Sequence, residues 1–205
     1  RQADGNGTDR ILIFDDTNGD HKFDRRKVFM EGLNLVSGLE VGFGGVWVGA
    51  APYLMFIPDR DGDDQPDGKP QILLDGWGYQ DTHETLNSFI WGPDGWLYGT
   101  HGVTNWSLLG KPGAPEEKRE RFEGGVWRYH PTRHVWESYA VGTTNPWGID
   151  WNDYGHAFVC NCVNPHLFHV IQGAFYDPRR NRPTGRHSYE RIATIADHLH
   201  FANAK

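Results

Sequence analysis

The chain has 205 residues and a formal net charge of −7, with its basic residues scattered among acidic ones, so it carries no electrostatic footprint for nucleic acid. No stretch approaches the ~20 apolar residues of a membrane-spanning helix. Twenty-six glycines, nine tryptophans and only two methionines point to short strands joined by tight turns rather than to long helices.

The first recognisable element is the apolar run Ile11-Leu-Ile-Phe14, followed by the acidic loop Asp15-Asp-Thr-Asn-Gly-Asp-His-Lys-Phe-Asp24. A second copy, Leu54-Met-Phe-Ile57 followed by Pro58-Asp-Arg-Asp-Gly-Asp-Asp-Gln-Pro-Asp67, stands 43 residues further on. Each copy leads into an apolar run with an acidic-Gly turn, Val28-Phe-Met-Glu-Gly32 and Ile72-Leu-Leu-Asp-Gly76. Repeats of roughly 40–50 residues have the size of one four-stranded propeller blade.

Asp16, Asn18, Asp20 and Asp24 occupy positions 1, 3, 5 and 9 of the first loop, and Asp59, Asp61, Asp63 and Asp67 the same positions of the second. Close carboxylates repel one another unless a hard cation takes six to eight oxygens from them, and alternate positions in a Gly-containing turn aim several oxygens at one point. This pattern predicts two structural calcium loops. They are not full EF-hands, because position 12 is Lys27 or Pro70 and strands are expected on either side. The alternative is a pair of acidic turns without an ion. Calcium of this kind implies an extracytoplasmic setting, periplasmic or at the cell surface.

Three segments read as the same strand in successive blades: Gly45-Val-Trp-Val-Gly-Ala50, Gly95-Trp-Leu-Tyr-Gly-Thr100 and His156-Ala-Phe-Val-Cys-Asn161. A next-strand series follows in 53–57, 125–129 and 167–171, and outer strands in 71–74 and 135–141. The expected fold is all-β, a single β-propeller domain over 1–205. About three to four blades are legible, fewer than a six- or seven-bladed ring requires, so the chain is expected to be a fragment of one. An inserted polar loop at about 102–123, with a short helix over 115–121, and an irregular tail from about 177 interrupt the regularity.

Eleven histidines are many for this length. The densest polar constellation is Asp81-Thr-His-Glu-Thr-Leu-Asn87, just before a predicted strand. His83, with neighbouring carboxylates, is the best candidate for a general base near neutral pH. Asp81, Asn87, His101, Trp106, Asn145, Trp147 and His166 lie at the ends of predicted inner strands and are candidates for a substrate or cofactor pocket. His198 and His200 form an H-x-H pair whose imidazoles share a face if the segment is a strand, a possible second metal site. Cys160 and Cys162, also two apart, read either as free thiols in a buried strand or as a soft-metal pair. No C-x-x-C-H motif for haem attachment occurs.

The run from Asp81 to Gly102, the acidic loops, Asn145-Pro-Trp-Gly-Ile-Asp150, Pro165-His-Leu-Phe-His-Val-Ile171 and Ala196-Asp-His-Leu-His200 together resemble the membrane-bound dehydrogenase propellers of planctomycete type. These are distantly similar to soluble quinoprotein glucose and sorbosone dehydrogenases. The resemblance covers nearly the whole chain. It implies a sugar or alcohol dehydrogenase with pyrroloquinoline quinone and calcium as cofactors, His83 as the base, and a cytochrome as electron acceptor in the parent protein. Where those enzymes carry an arginine before Asn-Pro-x-Gly, this chain has Thr144, which removes a fixed positive charge opposite the anionic quinone. A non-catalytic carbohydrate- or protein-binding propeller and a metal-dependent carbohydrate hydrolase or lyase are the alternatives.

Overall fold

A computed structural model describes residues 7–162, 166–176 and 191–196. Among these residues the protein is all-β, with several antiparallel sheets, none of them closed on itself, and a single 3-10 turn at Glu116–Lys118. No helix is long and apolar enough to cross a membrane.

Asp9–Asp15 (β1) and Arg25–Leu33 (β2) form a hairpin. Val36–Val41 (β3), Gly45–Ala50 (β4), Tyr53–Pro58 (β5) and Gln71–Asp75 (β6) form a four-stranded meander in chain order. Next come Asn87–Trp91 (β7) and Leu97–His101 (β8), the short pair Ser107–Leu109 (β9) and Glu120–Phe122 (β10), then Gly125–His130 (β11) and Val135–Val141 (β12). Strands β7, β8, β11 and β12 make a second four-stranded sheet, with β9 and β10 pairing separately. Pro146–Trp151 (β13), Ala157–Asn161 (β14) and Leu167–Val170 (β15) make a three-stranded sheet. The strand series read from the sequence therefore occupy matching places: β4, β8 and β14 are second strands, β5, β11 and β15 third strands, β6 and β12 fourth strands.

The second strands are sealed on both faces, every residue of β4 and β8 being buried. Successive side chains on a strand point to opposite faces. Val46, Val48 and Ala50 accordingly pack towards Ile11, Phe29 and Leu33 of the hairpin, while Trp47 faces the other way, towards Phe89, Leu97, Trp127 and Tyr129 of the next sheet. That sheet repeats the arrangement: Tyr98 and Val126 leave its far face to meet Ile149, Val159 and Phe168. The sheets thus stack face to face in chain order through three apolar layers. The first strands lie close together, β3 against β7 and β7 against β13.

Two glycines permit this packing. Gly99 pairs with Trp127 across the sheet, and a Cβ there would come within 2.2 Å of the indole. A Cβ at Gly49 would come within 2.7 Å of the Phe89 ring that crosses from the neighbouring sheet. Trp127 itself is fully buried, its ring centroid 5.1 Å from that of Trp77 and 5.2 Å from that of Phe89.

The segment expected as an inserted surface loop with a short helix is more ordered than its polarity suggests. Leu109 and Phe122 are buried in the layer between the first two four-stranded sheets, β9 and β10 pair, and Asp75 bridges to Gly110. Arg119 forms a partly buried ion pair with Asp75 at the same junction. Two apolar anchors in a polar stretch give no periodicity, which is why the sequence reads as loop and only one helical turn forms. Of the expected tail, residues 191–196 are described, with Ala196 bridging to Leu167 and Ile192 to Tyr176.

Truncation of Trp127 removes a fully buried indole from the centre of a layer. Trp127→Ala is expected to lower unfolding stability by about 3–5 kcal/mol, and Gly99→Ala, which forces a methyl into the same indole, by about 1–3 kcal/mol. Urea midpoints with unchanged slope check both.

Candidate functional site

Antiparallel pairing places the start of a first strand beside the end of the second. Asn87 opposes Thr100, and Pro146 opposes Asn161. The loops before β7 and β13 and those after β8 and β14 therefore share one rim. The loop 81–86 is clamped to the residues after β8: Asn105 Oδ1 accepts from the Asp81 amide (2.8 Å), Asn105 Nδ2 donates to the Asp81 carbonyl (2.8 Å), and the buried Glu84 carboxylate accepts from the Thr104 amide (2.7 Å). The two sheets are joined at this rim by Val103 N–H donating to the Thr144 carbonyl at 2.8 Å.

A cavity of about 430 Å³ opens there, lined by His83, Asn145, Trp147, Cys160, Asn161 and Cys162. Three hydrogen bonds tie its walls together. Trp147 Nε1 donates to the His83 carbonyl (3.0 Å), the Cys162 amide to the Asn145 carbonyl (2.8 Å), and Cys160 Sγ lies 3.6 Å from the Trp147 carbonyl. Gly148, at φ +152, leaves room for that sulfur; a Cβ there would sit 3.0 Å from it.

Within the cavity, His83 Nδ1 lies 3.1 Å from Asp81 Oδ1, which also accepts the His83 amide at 2.9 Å. The amide and then the imidazole hold the Asp81 carboxyl below the usual carboxylate range, so it stays anionic. An anionic acceptor on Nδ1 favours the tautomer that leaves Nε2 free to take a proton. The His83 side chain is 89% exposed, open to a ligand. Asn145 is only 8% exposed, yet its Oδ1 has no hydrogen-bond partner. An unmet acceptor buried this way costs about 1–3 kcal/mol unless a ligand or water supplies a donor. Two residues earlier, the buried Thr143 holds φ +66, a left-handed conformation uncommon for a β-branched residue.

Of the residues singled out from the sequence, the structure brings His83, Asn145 and Trp147 together, with Asp81 behind His83. It places the others elsewhere. Asn87 is wholly buried as a bracket, Nδ2 donating to the Thr85 carbonyl (2.8 Å) and Oδ1 accepting from Ser88 Oγ and Thr100 Oγ1 (2.6 Å each). Trp106 is 61% exposed and is not among the lining residues. His166 is also outside the lining, its Nδ1 3.0 Å from the Asn161 carbonyl. His198 and His200 lie outside the described residues.

His101 is the clearest departure. It is fully buried, stacked at 5.3 Å on Trp77, with Nδ1 donating to the Gly102 carbonyl and Nε2 accepting from Ser107 Oγ, each at 3.0 Å. The Ser107 oxygen in turn accepts the Gly78 amide (2.9 Å), so every polar atom of the ring is used in the neutral form. His101 is a core histidine, not a pocket residue. The cysteines and Asn161 complete the cavity; their signal in the sequence was their place at the end of a second strand, the same place as Thr100-His101.

The acidic loops are the β1–β2 and β5–β6 connections, and they share closing hydrogen bonds and left-handed positions. Asp24 N–H donates to the Asp15 carbonyl (2.9 Å) and Asp67 N–H to that of Pro58 (2.8 Å). Positive φ recurs at Gly19 and His21, and at Gly62 and Asp64. Asp24 and Asp67 close the loops by accepting the amides of Thr17 (3.1 Å) and Arg60 (2.6 Å). The loops differ at position 1. Burial pushes the Asp16 carboxyl up, but the amides of His21, Gly19, Asn18 and Asp20 outweigh it and hold the group below its usual range. Asp59 Oδ1 is instead buried without a partner, and carboxylate oxygens of Asp59, Asp61 and Asp63 lie within 4.8 Å of one another.

A stacked, all-β chain with paired acidic hairpin loops and a cavity at one rim is what the structure defines. Over residues 1–203 the chain matches the family described as a domain of unknown function, DUF7133, and it belongs to that family. No curated protein matches it.

Burial pushes the His101 imidazole down to about 4 from an ordinary 6.5. The unfolded chain therefore binds the proton first, and the contribution of neutral His101 is fully present above pH ~6.5 and is lost as pH falls towards ~4, up to about 3 kcal/mol. Chemical denaturation across pH 4–7 is expected to show this slope, and His101→Gln to flatten it.

Proposed function

We propose that the chain is part of an extracytoplasmic β-propeller whose rim cavity binds a sugar or small alcohol, with His83 as the base that takes a hydroxyl proton during oxidation. The propeller reading is supported by consecutive antiparallel meanders stacked face to face with their first strands adjacent. The observation that carries the functional reading is the meeting of His83, backed by the Asp81 anion, with Asn145 and Trp147 in one cavity. The indole of Trp147, 43% exposed, suits the apolar CH face of a sugar ring, and Asn145 Oδ1 awaits a hydroxyl donor.

In this reading His83 Nε2 would take the substrate O–H proton, and a bound quinone would supply the two-electron acceptor that a carbonyl product requires. Pyrroloquinoline quinone matches these residues poorly. Among the described residues the cavity lining contains no lysine or arginine to meet a tricarboxylate, and the position where the resemblance expects arginine is the buried Thr144.

His83→Ala is expected to lower kcat for dye-linked oxidation by about 10²–10⁴-fold with little change in KM. Sugar binding by titration calorimetry that persists in His83→Ala, with no turnover in either protein, would point instead to a non-catalytic binder.

We further propose that the two acidic loops hold calcium in a structural role. What favours this is the convergence of Asp59, Asp61 and Asp63 and the unpartnered Asp59 Oδ1; a hard cation supplies the missing partner. Calcium is expected to raise the melting temperature, with the 59–67 loop the tighter site because Asp16 is already satisfied by backbone amides. Asp61→Asn should abolish the tighter phase of a calcium titration, and Asn18→Ala only the weaker one.

A further inference from the structure

The cavity contains ligand chemistry that proton transfer does not use. Cys160, in β14, and Cys162, just beyond it, are both free thiols and both line the cavity, as does His83 from the loop before β7. Their positions are fixed by the wall hydrogen bonds, Cys162 through its amide on Asn145 and the His83 loop through Trp147 Nε1. Asp81 occupies His83 Nδ1 and leaves Nε2 as the available nitrogen, the arrangement in which a carboxylate orients a metal-binding imidazole. Asn145 Oδ1, buried and unpartnered in the same wall, is an independent sign that a donor belongs there.

We propose that the cavity binds a divalent ion of the zinc class through Cys160 Sγ, Cys162 Sγ and His83 Nε2. Two sulfurs and one imidazole nitrogen are a donor set that zinc takes in four-coordinate sites, with the fourth position left to water. Asn145, in the same lining, is the polar neighbour that such a water would have. Among the described residues the donor atoms already gathered within 4.8 Å are those of Asp59, Asp61 and Asp63. The thiol–imidazole set is wider and would close by rotation of the exposed Cys162 side chain toward His83, whose Nδ1 contact with Asp81 is kept. On binding, two S–H bonds break, two metal–sulfur bonds form and two protons pass to the buffer, so affinity rises with pH.

The ion would regulate the site proposed above, since an Nε2 committed to metal takes no substrate proton. The binding itself does not depend on that reading.

The test uses the full, reduced chain saturated with calcium, so that the acidic loops do not compete. Titration with Co²⁺ is expected to give a thiolate-to-cobalt charge-transfer band at one equivalent, displaced by Zn²⁺. Cys162→Ser and His83→Ala should each weaken Zn²⁺ binding by about 100-fold or more, and Asp81→Asn by about tenfold. Cys162 is exposed, so its variant decides the matter even if Cys160→Ser folds poorly. Absence of the band, a band unchanged in Cys162→Ser, or a loss confined to the His198→Ala, His200→Ala double variant would each overturn the proposal. None of these readouts involves turnover, so failure of sugar oxidation leaves the metal result intact.

Discussion

The rim depends on one buried hydroxyl. Thr100 Oγ1 lies 2.6 Å from Asn87 Oδ1 within its own sheet and 3.0 Å from the Pro146 carbonyl of the next. Its single proton joins two acceptors that have no access to water, and Thr100, Asn87 and the backbone of β13 are held at one distance as a result. Because antiparallel pairing already sets the start of a first strand beside the end of the second, this link fixes the 81–86 loop of one sheet relative to the 143–147 segment of the other. The cavity is the space between those two segments and the end of β14. Apolar stacking of the sheets through Trp47, Trp127 and Phe89 supplies the attraction, but it is non-directional; the polar contact supplies the register.

The acidic loops show how similar sequence and backbone can leave different chemistry. Both turns use glycine and a left-handed residue two positions later, and both are closed by the last aspartate. In the first, the Asp16 carboxylate is consumed by the amides of its own turn. In the second, the Asp59 Oδ1 is buried without a partner instead. Lys27 on β2 forms an ion pair with Asp64 in the second loop, so the hairpin and the neighbouring sheet are coupled through these loops as well as through the apolar layer.

Much of this architecture was legible in the sequence. A repeat at 43 residues and an alternating apolar pattern after Gly turns are periodic signals, and the strands at 45–50, 97–101 and 157–161 follow from them. The hairpin pairs β3–β4, β4–β5, β7–β8, β11–β12 and β13–β14 follow too, from their short turns, whereas β8 and β11 meet across the 102–124 segment, which no turn signal spans. Burial of single polar side chains was not legible. His83 and His101 both stand among Asp, Thr, Gly and Asn, and nothing local separates a solvent-facing base from an imidazole stacked on Trp77. That distinction is made by Ser107 and Gly78, which come from other segments. Leu109 and Phe122 were hidden for the same reason: two isolated anchors in a polar stretch carry no period.

Unmet polar groups and left-handed backbone coincide in one segment of the rim. Thr143 at φ +66 with an unpartnered Oγ1, Gly142 at φ +100 and the unpartnered Asn145 Oδ1 fall within four consecutive residues. The neighbouring polar residues Asn87, Thr100 and Glu84 are equally buried and fully paired. Among the described residues the other unpartnered atoms are Asp59 Oδ1 and the indole nitrogens of Trp77 and Trp136, each alone in its segment; only at 142–145 do two fall together beside left-handed backbone. Strained backbone and vacant acceptors persist where surrounding structure over-determines them, and such places tend to be ligand sites. Here the surroundings are the hydrogen bonds from Val103 to Thr144 and from Cys162 to Asn145, which hold the segment from both sides. The cost is borne by packed sheets behind the segment, and Asn145 stands in the wall of the cavity that His83, Trp147 and the two thiols line.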